Sequence, residues 1–590
     1  MSETGAGAPC GAFGLVLHGH LPFVLPHGAW PHGSDMLFEC AAESYLPLLR
    51  VSDRLVAEGI SPKMTVGITP VLAEQLAHPD FRQQFADYLG QRVEAAEQDR
   101  VDFGKQGQEH FEQLAQNWRE HFTELRSCFL EEYGGDLISG FRRLAEGGHI
   151  ELMTSAATHG YLPLLGWDES IQAQVKQAVA AHRRHFGMAP RGFWVPECAY
   201  RPRYAWASPL SEAGPQEARL RKGVEEFLAE NGLSYFIVDT ATLLGGAAAG
   251  VYLERFAALQ QMWDRFRASY RPGPVDIKKS AHEVYLVASA EEDRPPVAVF
   301  TRDERTGLQV WSGEIGYPGD GWYLDFHKKH DPGRHRYWRV TSAQTDLGSK
   351  EPYEPGRATA RVPENADHFC HLVRELLTEY HQERGRFGFV CAPYDAELFG
   401  HWWFEGPEWL YGVVKGLAAD PAVELMTCSE YLDRASPEAA VALPESSWGQ
   451  GGFHWVWLNE WTTWVWKHVY AAEAEMPGLA RQALASGDGV LARIVSQAAR
   501  ELLLLEASDW PFLISTWSAR DYAERRAALH HEAFARLAEM ARRRGRGEEL
   551  GAEDEKFLGE CEQTDCLFPD VDVAWWAEVE MPAMARRTSK

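Results

Sequence analysis

The 590-residue sequence contains no apolar run long enough to cross a bilayer. It has no CxxC pair: its nine cysteines are scattered, and the closest two, Cys561 and Cys566, have no histidine beside them. That excludes the usual zinc signatures and a disulfide framework. No P-loop and no GxGxxG after a strand is present, so nucleotide cofactors have no support. Basic residues are also scarce. Against 85 Asp and Glu stand 58 Lys and Arg, a formal charge of −27. Such an excess makes nucleic acid or an anionic membrane an unfavourable main partner. The opening "MSETGAGAPCGAFG" has neither a basic n-region nor an apolar h-region, so no signal peptide is expected. The expectation is a cytoplasmic protein, monomer or homodimer, with no metal and no cofactor.

What the chain does have is aromatic residues, with 22 Trp, 28 Phe and 20 Tyr, and 45% hydrophobic content. That is ample for a large core and more than one domain. Short apolar runs recur: "FGLVLH", "KMTVGIT", "HIELMTS", "RGFWVPE", "LSYFIVD", "GLQVWS", "RFGFVCAPYD" and "AVELMTC" all have the length and flanks of buried strands. Amphipathic stretches such as 168–186, 216–231 and 364–383 fall between them. Alternation of this kind implies parallel pairing with right-handed crossovers, here closed as a β/α barrel over residues 1–430. Two inserts interrupt it: a charged helical excursion at about 79–146, and a long loop and hairpin at about 240–306. Residues 431–452 form a linker, and 453–590 a helical domain.

In a parallel barrel, chemistry gathers where the strands end. "RGFWVPE" and "FGFVCAPYD" share one pattern: aromatic, apolar, proline, acid. Proline closes the strand and the acid stands at the rim, which pairs Glu197 with Asp395. Two carboxylates at one mouth suit glycosidic bond chemistry, and their separation distinguishes retention from inversion. Sugar rings stack on Trp and Tyr, and the "SSWGQGGFHWVWLNEWTTWVWKH" region is dense in both. Trp448 stands out there because its Ser/Gly-rich loop makes core burial harder to arrange. His20 in "LHGHLPF" and His159 in "SAATHGYLPLL" sit at further strand ends. Sugar hydroxyls or the core are better partners for them than a metal.

Five of these strings, "HGHLPF", "SAATHGYLPLLG", "GFWVPECAYRP", "CAPYDAELFGHWWFEGP" and "WLNEW…YAAE", resemble the five sequence regions of glycoside hydrolase family 57, its 1,4-α-glucan branching enzymes above all. The resemblance spans nearly the whole chain. It implies an α/β fold, an incomplete (β/α)7 barrel with a helical insert and a C-terminal all-helical domain. It also implies a retaining mechanism, with Glu197 as nucleophile and Asp395 as general acid/base. Glucan-binding positions carry over to Arg302, Gly319, Trp448 and Asp509, joined by His20, His159, Trp311 and Trp457. The implied partner is an α-glucan such as amylose or a glycogen-like polymer. A lid-loop Tyr of similar enzymes matches Tyr252, although the segment after "YFIVD" is longer here, with extra residues at about 263–296. An α-amylase or 4-α-glucanotransferase of the same family, and a non-catalytic glucan-binding protein, are the alternatives.

Overall fold

The computed structural model describes residues 8–29, 31–210, 218–247, 256–267, 270–272, 274–288, 295–313 and 315–579. Seven parallel strands form its centre: β1 (Gly11–Gly19), β2 (Met64–Ile68), β3 (Ile150–Ser155), β4 (Gly192–Trp194), β5 (Tyr235–Val238), β6 (Ala298–Thr301) and β7 (Gly388–Asp395). They pair in the order β7-β1-β2-β3-β4-β5-β6. Between β6 and β7 the ring is wedged open. Strand Tyr285–Val287 pairs antiparallel to the start of β6, and the Phe389 amide of β7 donates to the His282 carbonyl. Just past the end of β6, a single parallel bridge, Arg302 to Cys391, and the Asp303 amide on the Cys391 carbonyl close the ring. The barrel is thus incomplete at its base and joined at the end that carries the strand-end acids.

The strands are nearly continuous runs of buried apolar residues, as a sheet covered on both faces requires. The run "GLQVWS" is a correction to the strand reading: it lies in the helix Glu304–Trp311. Asp303 caps that helix by accepting from the Thr306 amide, and Thr306, Gly307, Val310 and Trp311 are buried at helical spacing. The 216–231 stretch is also only partly helical. Arg219–Arg221 is a strand antiparallel to Tyr204–Trp206, and the helix, starting after Gly223, covers Val224–Glu230.

Helices Pro79–Lys105 and Glu109–Ser127 fold back on one another beside the barrel. Helices Thr463–Ser486, Gly489–Leu505, Asp509–Thr516 and Arg520–Gly545 pack together against the strand-end face. One buried polar cluster joins the two parts. His27, after β1, meets Asp565 at 2.7 Å, while His530 bonds Glu501 at 2.9 Å and Arg526 at 3.0 Å. Arg526 donates to His530 Nε2, so the ring proton sits on Nδ1 and points to Glu501.

Inside the ring, Phe389 of β7 packs against Phe300 and Tyr431, with ring centroids 5.0 and 4.6 Å away. A Cβ on Gly14 of β1 would lie 2.1 Å from that fenced ring. Gly14→Ala is therefore expected to destabilise by about 1–3 kcal/mol. Gly478→Ala, in a helix with open space around it, is expected to be neutral or stabilising. Thermal unfolding of the two variants side by side checks this.

Candidate active site

Glu197 follows β4 by three residues, after Val195 and Pro196. The chain leaves the strand in a tight turn in which Glu197 and Cys198 both take left-handed backbone conformations, φ 61° and 47°. Such positions cost roughly 1–3 kcal/mol each unless their surroundings enforce them. Here the Cys198 and Ala199 amides bond back to Val195 and Pro196, and the Trp448 amide donates to the Glu197 carbonyl at 3.1 Å. The turn throws the carboxyl into the barrel mouth, where it is 7% exposed.

Both carboxyl oxygens have donors, and both donors come from beyond the barrel strands. Trp448 Nε1 donates to Oε2 at 2.8 Å, and Ser508 Oγ donates to Oε1 at 3.4 Å. Behind Ser508 runs a directional chain. Ser508 spends its only hydrogen on Glu197, so it accepts from His159 Nδ1 at 2.8 Å. His159 Nε2 is then an acceptor and takes the Nε2 hydrogen of His18 at 3.1 Å. Burial, aided by the neighbouring imidazoles, holds His18 and His159 well below the usual histidine range, so both are neutral, as this chain needs. His159 is itself left-handed, at φ 58°, and its carbonyl accepts from the Ser508 amide at 3.1 Å.

His20 stacks on His159 with ring centroids 3.9 Å apart and planes at 17°. Its Nδ1 meets Thr69 Oγ1 at 3.0 Å and its Nε2 meets Asp509 at 3.0 Å. The ligand atoms of His20, His159 and Asp509 lie within 4.8 Å of one another, the distance range of a metal triad. Every ring nitrogen of the two histidines nonetheless already has a hydrogen-bond partner, and their planes are stacked rather than convergent. The arrangement is a hydrogen-bonded wall. Trp194 closes it from below, stacked on His18 at 4.6 Å and edge-on to Trp448 at 5.3 Å.

Asp395 is the last residue of β7, in register with His18 of β1, and is partly exposed at the same rim. The Cys198 thiol, pushed far up by burial, feels the charges of Asp239, Arg302, Glu197 and Asp395. His18, in register with Asp395, is joined through His159 and Ser508 to Glu197, so both candidate acids face one mouth. Arg302, just past β6, is ion-paired with Asp239, just past β5. Trp311 lies 6.5 Å from Trp448 and 6.4 Å from Trp402.

Of the other described residues singled out in the sequence, only Trp448 bonds Glu197. Gly319 sits in the turn Tyr317–Gly319, whose Tyr317 packs on Trp403 and Trp409. Trp457 is wholly buried, stacked on Tyr161 at 4.6 Å, and makes no hydrogen bond to the Glu197 network. Trp448 is only 2% exposed, contrary to the expectation from its loop. Its loop reaches into the barrel mouth, and the indole is buried against Trp194 and Glu197. Tyr252 lies outside the described residues. Sequence reasoning missed Ser508, which has no motif signal beyond its place before Asp509. It also missed Glu397, two residues after Asp395, which accepts from the His20 amide at 3.0 Å and from the Tyr45 hydroxyl.

Burial pushes the Glu197 carboxyl up to about 7, with the Trp448 hydrogen bond pulling it back and Asp509 adding to the rise. Below pH 4.5 this group adds its full share of stability. The share is lost as pH rises through 7, because the native state binds the proton more tightly than the unfolded chain. Glu197→Gln is therefore expected to raise stability by about 2 kcal/mol at pH 8 and by little at pH 5. Thermal melts at the two pH values measure the difference.

A family model described as glycosyl hydrolase family 57 matches residues 14–444, and one described as 1,4-alpha-glucan branching enzyme, C-terminal, matches residues 468–576. A 1,4-alpha-glucan branching enzyme of Thermococcus kodakarensis is 41% identical over 571 residues, covering 97% of this chain and 79% of that protein. The crystal structure of a family 57 branching enzyme from the same archaeon, in complex with glucose and additives, superposes with a TM-score of 0.86. It is 39% identical over 97% of this chain and 98% of its own. The α-amylase AmyC of Thermotoga maritima superposes at 0.78 with 27% identity, over 97% of this chain and 100% of its own.

Proposed function

This chain belongs to glycosyl hydrolase family 57, and from that premise we propose that it is a 1,4-α-glucan branching enzyme working by a retaining mechanism. One observation carries the reading. The region matched to the branching-enzyme C-terminal model delivers Ser508 and Asp509 into the same site as Glu197. The reacting site is thus shared between the barrel and the region matched by the branching-enzyme C-terminal model.

In the proposed reaction, a carboxylate oxygen of Glu197 attacks C1 of an internal α-1,4-linked glucose. Asp395 gives its proton to the departing O4, and the outgoing chain leaves with a free 4-hydroxyl. The glucosyl-enzyme is then attacked by the 6-hydroxyl of an acceptor chain. Asp395, now a carboxylate, takes the hydroxyl proton, and Glu197 is released. One α-1,4 bond is exchanged for one α-1,6 bond, and water is neither consumed nor formed.

The hydrogen bonds from Trp448 and Ser508 hold both oxygens of Glu197, so attack needs little reorientation. Arg302 and Trp311 line the same mouth and serve the glucan, as do His20, His159 and Asp509. Water reaching the intermediate turns transfer into hydrolysis, so the buried, aromatic-walled mouth favours transfer. All nine cysteines are free thiols, which supports placing the enzyme in the cytoplasm, on a glycogen-like polymer.

Incubation with amylose is expected to produce new α-1,6 linkages, counted as chains released by a debranching enzyme, in excess of new reducing ends. Reducing ends alone point to an α-amylase, and redistributed linear chains to a 4-α-glucanotransferase. Glu197→Gln and Asp395→Asn are each expected to lower kcat by roughly 10³-fold or more. Because Glu197 attacks as the carboxylate, kcat/KM should rise with pH along an acid limb centred near 7.

A further inference from the structure

The helix Asp509–Thr516 starts in the active site and ends at the surface. Ser508, the residue before it, bonds Glu197. Trp517, the residue after it, is 57% exposed, the largest exposed aromatic ring among the described residues. At 1.5 Å per residue, the two ends lie roughly 13 Å apart. One face of the helix is partly open between them, with Phe512 on it packed against Phe256 and Trp457. Asp509, Phe512 and Leu513, at helical spacing, are partly exposed, while Trp510, Pro511, Ile514, Ser515 and Thr516 are buried.

Trp517 does not stand alone. Its ring lies 5.5 Å from that of Trp461, and the Arg520 guanidinium sits 5.3 Å over its centroid. The loop bearing Trp461 is pinned to the helix, because Asn459 Nδ2 donates to Ser515 Oγ at 2.8 Å and Asn459 Oδ1 accepts from the Trp461 amide at 2.9 Å. Beside it, Glu460 pairs with Arg265 of the helix Ala257–Arg267, part of the insert after β5. Trp517 also carries backbone strain, at φ 59°. Eight described residues other than glycine have positive φ, and three of them (His159, Glu197 and Cys198) belong to the site already described. A bulky aromatic held in the left-handed region and left half in water is costly for stability alone.

We infer that Trp461 and Trp517 form an aromatic platform that binds the α-glucan chain outside the catalytic mouth, a few sugar units from Glu197. The two indoles, inclined at 58° to one another, form a shallow V whose apolar faces suit pyranose rings, bordered by Arg520 and Glu460, which are held by Glu524 and Arg265. Continuity with the pocket along the Asp509, Phe512 and Leu513 face selects a polysaccharide already held at the mouth as the occupant. The inference rests on the proposed α-glucan substrate. It predicts a preference for long chains, because a chain too short to reach from Glu197 to Trp517 gains nothing from the platform.

The discriminating variant is Trp517→Gly, since glycine adopts the native φ without strain and removes only the ring. The full chain should melt within a few degrees of wild type. Its KM for long amylose, divided by its KM for a maltooligosaccharide too short to span the helix, should rise roughly three- to tenfold. Trp517→Tyr should recover part of that loss, and Trp461→Ala should reproduce it. Migration in gels containing amylopectin reads binding without turnover, so it tests the platform even if the wild type makes no α-1,6 bonds and the proposed function fails. An unchanged KM ratio together with unchanged gel retardation overturns the inference. So does a change of oligomeric state on sedimentation with glucan binding intact, which would assign the two rings to contact between copies of this chain.

Discussion

The structure turns on one buried carboxyl group. Glu197 has almost no contact with water, and a carboxylate in that position is strongly unfavourable unless hydrogen bonds replace its hydration. The replacements are the Trp448 indole and the Ser508 hydroxyl, neither of which belongs to a barrel strand. The barrel places the acid, and the residues after the barrel keep it usable. This explains why the helical region packs onto the strand-end face: half of the hydrogen-bonding shell is delivered by it.

The same constraint orders the histidines. When Glu197 is ionised and takes the one hydrogen of Ser508, His159 donates from Nδ1 and accepts at Nε2, and His18 donates from its own Nε2. Three imidazoles in contact would repel if charged, and burial keeps His18 and His159 neutral. His20 is tied separately to Thr69 and Asp509, so Asp509 anchors the outer wall while Ser508 anchors the inner one. Strained backbone at Glu197, Cys198 and His159 is held by these bonds, in keeping with strain gathering where function needs a fixed geometry.

Much of this was legible in the sequence. The pattern of apolar run, proline and acid located Glu197 and Asp395 at strand ends, and the structure brings both to one mouth. Histidines after β1 and β3 also reached the site, because parallel strands deliver their following loops to the same end. Local patterns failed where capping outweighs composition. "GLQVWS" has a strand's residues, but Asp303 initiates a helix through it. Trp448 illustrates the opposite failure. Its loop composition suggests exposure, yet a buried acceptor across the barrel mouth draws the indole in.

The sequence by itself determined the alternation of strand and helix, the strand-end position of the two acids and the family resemblance, because each is written in neighbouring residues and their spacing. Only the tertiary structure decided which groups hold those acids. Ser508 and Asp509 lie more than 300 residues after Glu197, and Trp448 lies 251 after it. No local pattern marks a serine as the donor to a distant carboxyl. That assignment exists only when the helix Asp509–Thr516 docks on the barrel and the cost of a buried charge selects whatever donor it finds there.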